Sequence, residues 1–327
     1  MKAFVHQAGK LQLSHITEPP LNDDEVVVSL KVSGLNRRDL YISDRRGHQK
    51  ESLVLGSDGA GIVTAVGDQV TNISMGDEVI INPALRWYTK SAAPPKDFEI
   101  LGLPDHGTFA EKIVINAAQL EKKPEHLSWD EAGVLGLSGL TGYRAMFTRG
   151  QLQKGETVFI PGASSGVATF LIMFAKKVGA RVIVTSRSET KRQQALELGA
   201  DVAIDTIGDW QAQLKDETID LVIESVGAAT FNQSLSLLKQ GGKIVVFGAT
   251  TEDVVTLNLR DFFYGQYDLL GTTMGSQDEF REMLSLVKKH KIRPVIDQVY
   301  SLSEIETAFT RLQESTQFGK LAIQIDR

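Results

Sequence analysis

Short apolar runs broken by Gly, Pro, Asn and Asp fill the first 122 positions, as in Glu25-Val26-Val27-Val28-Ser29-Leu30-Lys31-Val32, Gly61-Ile62-Val63-Thr64-Ala65-Val66 and Glu78-Val79-Ile80-Ile81. Runs this short, punctuated by turn residues, predict a β-rich barrel or sandwich. From position 157 the texture changes: apolar strands at 157–160, 181–185, 221–223 and 243–247 alternate with helical patterns. That alternation predicts βαβ units around a parallel sheet. After the first strand, Ala168, Leu171, Ile172, Ala175 and Gly179 recur at helical spacing while Lys176 and Lys177 fall on the other face, so an amphipathic helix packs on the sheet. One more helix over 277–290 and a strand over 319–325 end the chain, and the tail is expected to rejoin the first domain. At 327 residues the chain exceeds what one hydrophobic core spans, so the class is α/β with two domains.

Composition then narrows the chemistry. Thirty-five Lys and Arg against 41 Asp and Glu give a formal charge of −6 with no basic tail, which argues against nucleic acid or an anionic membrane as partner and leaves small molecules. The chain has no cysteine, which removes disulfides, thiolate nucleophiles and Cys-ligated zinc, and fits a reducing compartment. Its six His show no ligand-like spacing. The opening Met1-Lys2-Ala3-Phe4-Val5-His6-Gln7 never develops a signal-peptide core, and the uncharged stretch 157–175 is broken by Pro161, Gly162, Ser164, Ser165 and Gly166, so a cytoplasmic location is expected.

The segment richest in chemistry is Val158-Phe159-Ile160-Pro161-Gly162-Ala163-Ser164-Ser165-Gly166-Val167-Ala168: a strand, a small-residue turn and a helix start. Small residues let peptide N–H groups converge where the helix N-terminus is positive, which is how a dinucleotide pyrophosphate is held. The competing role is a structural Gly-rich turn, and Ala163, Ser165 and Ala168 stand where a G-x-G-x-x-G motif has glycine. The second strand ends in Ser186 and Arg187, with Lys191 following, where an NAD site wants a carboxylate. Those side chains suit a 2′-phosphate, so NADPH is the expected cofactor; the alternative is that Arg187 and Lys191 are a solvated helix start.

In the order and spacing of its landmarks the chain resembles the medium-chain dehydrogenase/reductases, and among them the zinc-free quinone oxidoreductase-like branch. The landmarks are Gly34-Leu35-Asn36-Arg37-Arg38-Asp39, Leu55-Gly56-Ser57-Asp58-Gly59-Ala60-Gly61, Val66-Gly67 with Gly76-Asp77-Glu78-Val79, Gly107-Thr108-Phe109-Ala110-Glu111, Leu140-Thr141-Gly142-Tyr143 and Gly319-Lys320. The resemblance implies a GroES-like β-barrel catalytic domain over 1–123, completed by 268–327, and an inserted doubly wound Rossmann NADP(H)-binding domain over 124–267, with the active site between them. It further implies Gly162, Ala163, Ser164, Ser165, Gly166 and Val167 on the pyrophosphate, and Thr141 facing the phosphate and nicotinamide region. Ser225 and Gly227 are implied beside a ribose, Phe247, Gly248 and Met274 around the nicotinamide, and Lys320 on the cofactor. Zinc ligands of relatives fall at Asn36, Ser57 and Gly136 or nearby, where one carboxylate, Asp58, makes no zinc site. The structural-zinc lobe is replaced by 84–104, which includes Trp87, Tyr88, Pro94 and Pro95.

Without a metal, hydride delivery to a quinone or enone is the expected reaction, because its charge ends on a delocalised oxygen that hydrogen-bond donors can hold. Asn36 and Tyr41 are the candidate catalytic donors; in the competing role Asn36 caps a turn and Tyr41 packs in the barrel. A 2-enoyl thioester reductase and a non-catalytic NADPH-binding redox sensor are the alternatives. The aromatic stretch Phe262-Phe263-Tyr264-Gly265-Gln266-Tyr267 suggests a homodimer through an edge strand, or else a packed seam within one chain.

Overall fold

The computed structural model describes residues 1–325 and resolves the chain into two compact units, Met1–Leu140 with the described chain from Gly275 on, and Thr141–Met274. These limits correct the expected ones at 123/124 and 267/268. Residues beyond 123 stay with the first unit because Gly133 lies so close to Val32 that an added Cβ would come within 2.6 Å of its side chain. At the other end, Asp268–Gly271 pairs in parallel with Leu238–Val246 and so belongs to the second unit. The final positions of the expected 268–327 segment, Asp326 and Arg327, lie outside the described residues.

In the first unit the long strand Glu25–Leu35 is central. It pairs antiparallel with Asp58–Val66, with Lys112–Asn116 and, from the chain's far end, with Lys320–Gln324. The tail therefore rejoins the first domain, as expected. Its apolar inner face, Val26, Val28 and Leu30, is fully buried with Val63, Val79 and Ile81. A hairpin of Lys2–Gln7 and Lys10–His15 and a further strand, Ile296–Ser301, escaped the sequence pattern. The lobe at 84–104 is held by packing: Trp87, 2% exposed, meets Phe98 edge-on, and its backbone oxygen accepts the Gln277 N–H at the start of helix Gln277–His290.

The second unit is a six-stranded parallel sheet of Thr157–Ile160, Arg181–Ser186, Val202–Asp205, Ile219–Glu224, Leu238–Val246 and Asp268–Gly271. Numbered along the chain, these strands lie in the spatial order 3-2-1-4-5-6. Both neighbours of Thr157–Ile160 continue away from it in opposite directions, which opens a crevice at the strands' carboxyl ends. Helix Gly166–Val178 buries Ala168, Leu171, Ile172 and Ala175, the face its apolar periodicity predicts, and also Phe170 and Phe174, whose rings pack on each other and, through Phe174, on Tyr143 and Phe147. No helix among the described residues is long and apolar enough to cross a membrane.

Candidate active site

The first strand's turn is built for an anion. Gly162 has φ +81°, a backbone that favours glycine, and Ser165 caps helix Gly166–Val178 by accepting from the Ala168 N–H at 3.0 Å. The Gly162 and Ala163 amides instead donate to Thr185, at 3.1 Å to its hydroxyl and 2.8 Å to its carbonyl. This corrects the expectation that 162 and 163 offer their N–H groups to a diphosphate: they fasten the turn to the next strand. Among the described residues the N–H groups of Ser164, Ser165, Gly166 and Val167 donate to no acceptor, and they lie at the positive helix end. Those four fit a pyrophosphate.

Beside the turn, Ser186 ends the second strand and Arg187 is exposed. The Lys191 ammonium reaches back to the Ser164 hydroxyl at 3.4 Å, which joins the two expected subsites. Sequence reasoning missed Arg192, which donates to the Ser186 carbonyl at 2.7 Å and pairs with Asp205 at 3.5 Å; its position next to Lys191 was the available signal. Arg187, Lys191 and Arg192 thus follow the end of this strand within six residues.

Across the sheet, Glu224 is the other missed residue. Fully buried, it accepts from the Val226 N–H at 2.6 Å, the Gly227 N–H at 3.3 Å, and the hydroxyls of Thr230 and Ser234 at 3.0 Å each. It thereby fixes the loop Ser225-Val226-Gly227, where Gly227 has φ +95°. Thr250 and Thr251 donate to the Ser225 and Val226 carbonyls and hold the following loop against it. Phe247 and Gly248 are partly buried at the end of the fifth strand, and the buried Thr141 hydroxyl meets the Met274 sulfur at 3.6 Å. Met274 carries φ +40°, a strained backbone for a residue with a side chain.

In the first unit the structure gathers Asn36, Asp58, Ser138 and Lys320, because register sets Gly34 opposite both Asp58 and Ala322. A Cβ on Gly34 would stand 2.8 Å from Asp58 Oδ2, so this approach requires glycine. The Lys320 ammonium donates to Asn36 Oδ1 at 2.5 Å, Asp58 Oδ2 at 3.0 Å, the Leu35 carbonyl at 3.1 Å and Ser138 Oγ at 3.3 Å. Asp58 Oδ1 accepts the Leu137 N–H at 2.5 Å. Both side chains are buried, Asp58 0% and Lys320 3% exposed.

Two sequence expectations change here. Lys320, expected on the cofactor, spends its ammonium inside the first unit. Asn36, expected as a donor to substrate, directs its amide hydrogens to Asp58 Oδ2 at 2.9 Å and the Gly34 carbonyl at 3.3 Å. Its backbone N–H also takes Asp39 Oδ2 at 2.8 Å, the turn-capping role held as its alternative. Tyr41, by contrast, is 43% exposed and does not pack into the barrel.

The buried Asp39 and the partly buried Arg38 lie alongside. Burial lifts the Asp39 carboxyl to about 6 against the opposing pull of Arg38, and burial lowers the Arg38 guanidinium from its usual value. Arg38 donates to the Ser57 hydroxyl at 2.6 Å and the Leu101 carbonyl at 2.8 Å. Gly136 completes the neighbourhood, since a Cβ there would come within 3.0 Å of Asp58 Oδ1. Asn36, Ser57 and Gly136, where the family resemblance implies zinc ligands, thus lie around Asp58, but their side chains do not fit zinc. They supply neither thiolate nor imidazole, and the one carboxylate is already hydrogen-bonded to an ammonium. Among the described residues no group of three or more His, Cys, Asp or Glu could hold a metal ion.

Comparison with known proteins agrees with this architecture. Residues 22–125 match the alcohol dehydrogenase GroES-like domain and residues 166–289 the zinc-binding dehydrogenase family. The chain is 31% identical to the zinc-type alcohol dehydrogenase-like protein YogA of Leptosphaeria maculans, over 96% of this chain and 94% of that protein. It is 29% identical to acryloyl-coenzyme A reductase of Sulfurisphaera tokodaii, over 99% of this chain and 100% of that one. A crystal structure of an NAD-dependent alcohol dehydrogenase superposes with a TM-score of 0.92 at 32% identity and covers both chains fully. With a GroES-like unit, a Rossmann unit that suits a nicotinamide dinucleotide, and relatives matched over nearly their whole length, the chain belongs to the medium-chain dehydrogenase/reductase superfamily of oxidoreductases.

Proposed function

We propose that the chain is an NADPH-dependent reductase that delivers hydride to a conjugated carbonyl acceptor (a quinone, an enone or a 2-enoyl thioester) without a metal. One observation carries the reading: Asn36, Ser57 and Gly136, where the family resemblance implies zinc ligands, supply neither thiolate nor imidazole, and the carboxylate beside them, Asp58, is already paired with the buried Lys320 ammonium. Alkoxide chemistry wants a Lewis acid at that place, whereas a delocalised enolate or phenolate oxygen needs only hydrogen-bond donors. When bound, the nicotinamide supplies the hydride.

The chain's own residues bind and orient. Amides 164–167 take the pyrophosphate; Ser186, Arg187, Lys191 and Arg192 take the 2′-phosphate. The Glu224-braced loop lies along a ribose, and Thr141, Phe247, Gly248 and Met274 bracket the nicotinamide end, as the family resemblance implies. Tyr41, with its ring partly in solvent, is the donor for the acceptor oxygen, and Asn36 belongs to the fixed polar floor. The relative named as an acryloyl-coenzyme A reductase favours the thioester form of the acceptor.

Steady-state NADPH oxidation across benzoquinones, enones and 2-enoyl-CoA thioesters tests the reading. Turnover with one of these classes and none with simple alcohols plus NADP+ is expected. Oxidation of alcohols alone would refute it, and tight NADPH binding with no turnover would leave the redox-sensor alternative. A cysteine-free chain suits the cytoplasm, where we place it. We also propose a homodimer. Asp268–Gly271 is an edge strand with Leu269 46% exposed, beside Phe263 and Tyr264 at 52% and 65%. Light scattering should give about twice the 35.8 kDa chain mass, and a monomer mass at micromolar concentration would retire the dimer.

A further inference from the structure

We infer that Lys320 is a positioning residue whose ammonium is the built-in cation of the Asn36, Asp58 and Ser138 cluster, seated in a four-oxygen site of the kind a free cation would otherwise fill. The four oxygens are chemically distinct: a carboxamide (Asn36), a carboxylate (Asp58), a peptide carbonyl (Leu35) and a hydroxyl (Ser138), all 2.5–3.3 Å from the nitrogen. Hard cations are held by such mixed oxygen sets. Here the cation is covalently part of the chain and cannot be lost to a chelator.

An ammonium only donates, so it dictates which end of the Asn36 carboxamide faces it. Oδ1 must point at Lys320, and the amide hydrogens are then committed to Asp58 and the Gly34 carbonyl. The lysine thus locks the polar floor in one arrangement. Its own position is set by the backbone: Gly319 enters the last strand at φ +100°, and a Cβ there would lie 2.5 Å from the Val295 carbonyl. That Lys320 serves turnover rests on the proposed reductase function; that it fills a cation site does not.

The test is Lys320→Ala in the full chain, with ethylammonium chloride as the probe that refills the truncated side chain. Tetramethylammonium chloride, which cannot donate, is the control at equal ionic strength. Thermal denaturation should fall by about 5–10 °C and recover in part with ethylammonium only. NADPH affinity, read by nucleotide fluorescence, should stay within about twofold of the parent. With an acceptor from the panel, kcat should drop by about tenfold or more and rise again with ethylammonium, while KM for NADPH holds.

A loss of NADPH affinity of about tenfold with unchanged melting would make Lys320 a nucleotide ligand and overturn the inference. Unchanged melting and unchanged kcat would overturn it too. Should Lys320→Ala not fold, Lys320→Met with Asp58→Asn removes both buried charges. That variant should melt near the parent yet turn over about tenfold more slowly, and parental kcat in it would refute the role. If the parent itself reduces no acceptor, the reductase reading falls, while melting rescue and NADPH affinity still decide whether Lys320 fills a cation site.

Discussion

The turn at 161–166 leaves polar groups open, while the cluster around Lys320 closes its own. At the turn, four consecutive amides at a positive helix end find no acceptor among the described residues, and Arg187 stands in solvent. At the cluster, Lys320, Asp58 and Asn36 satisfy one another in nearly complete burial. Unpaired donors at a rigid helix start are tolerable because water serves them until a ligand arrives. A buried carboxylate has no such option, and its partner must be built in. One region therefore leaves donors free for the proposed anion, and the other already contains its cation.

Gly166→Asp should break the first half of this contrast most severely. A carboxylate at the open amides would repel the pyrophosphate while favouring the helix start, so dinucleotide affinity should fall by about a hundredfold or more with melting unimpaired. Isothermal titration beside thermal denaturation reads both. Retained affinity would mean the anion site lies elsewhere.

A milder change sharpens the same half. Arg187→Ala removes one exposed cation from the proposed 2′-phosphate site, so NADPH should bind more weakly by roughly 1–3 kcal/mol while NADH is unaffected. Equal losses for the two nucleotides would show that Arg187 does not read the phosphate.

The smallest expected effect concerns the buried charges. Burial raises Asp39 from 3.8 to about 6, so between those pH values the folded chain holds a proton that the unfolded chain has lost. Stability linked to Asp39 therefore rises as pH falls through 6 and is lost as pH climbs above it. Compared with Asp39→Asn, the parent should gain about 1–2 kcal/mol of unfolding free energy on going from pH 7.5 to pH 5, read by urea titration. A pH-independent difference would place Asp39 in a wetter setting than the structure gives it.

The two regions were unequally legible in the sequence. The turn lies within eight contiguous residues, 161–168, and local chemistry exposes it: a φ-permissive glycine, an N-cap serine, a helical apolar repeat. Even so, the sequence did not reveal that Gly162 and Ala163 face Thr185, since that depends on the neighbouring strand. The cluster joins residues as far apart as Asn36 and Lys320, 284 positions, through antiparallel register. Family landmarks marked the places of Asn36, Ser57 and Lys320, but nothing local says that the lysine turns inward.

Boundaries failed for a related reason. Asp268–Gly271 and Lys10–His15 are edge strands with mostly exposed side chains, so no apolar alternation announces them. Glu224 ends an apolar strand, where a carboxylate reads as surface until the hydroxyls of Thr230 and Ser234 are seen folded onto it.

The proposed reductase works with a built-in ammonium in place of a metal. The most direct measurement is acceptor-dependent NADPH oxidation by the chain after exhaustive dialysis against a strong chelator, with zinc content determined on the same sample. Full turnover with substoichiometric zinc, and no gain on adding zinc back, is expected. Activity that disappears with the metal and returns in proportion to zinc bound would contradict it.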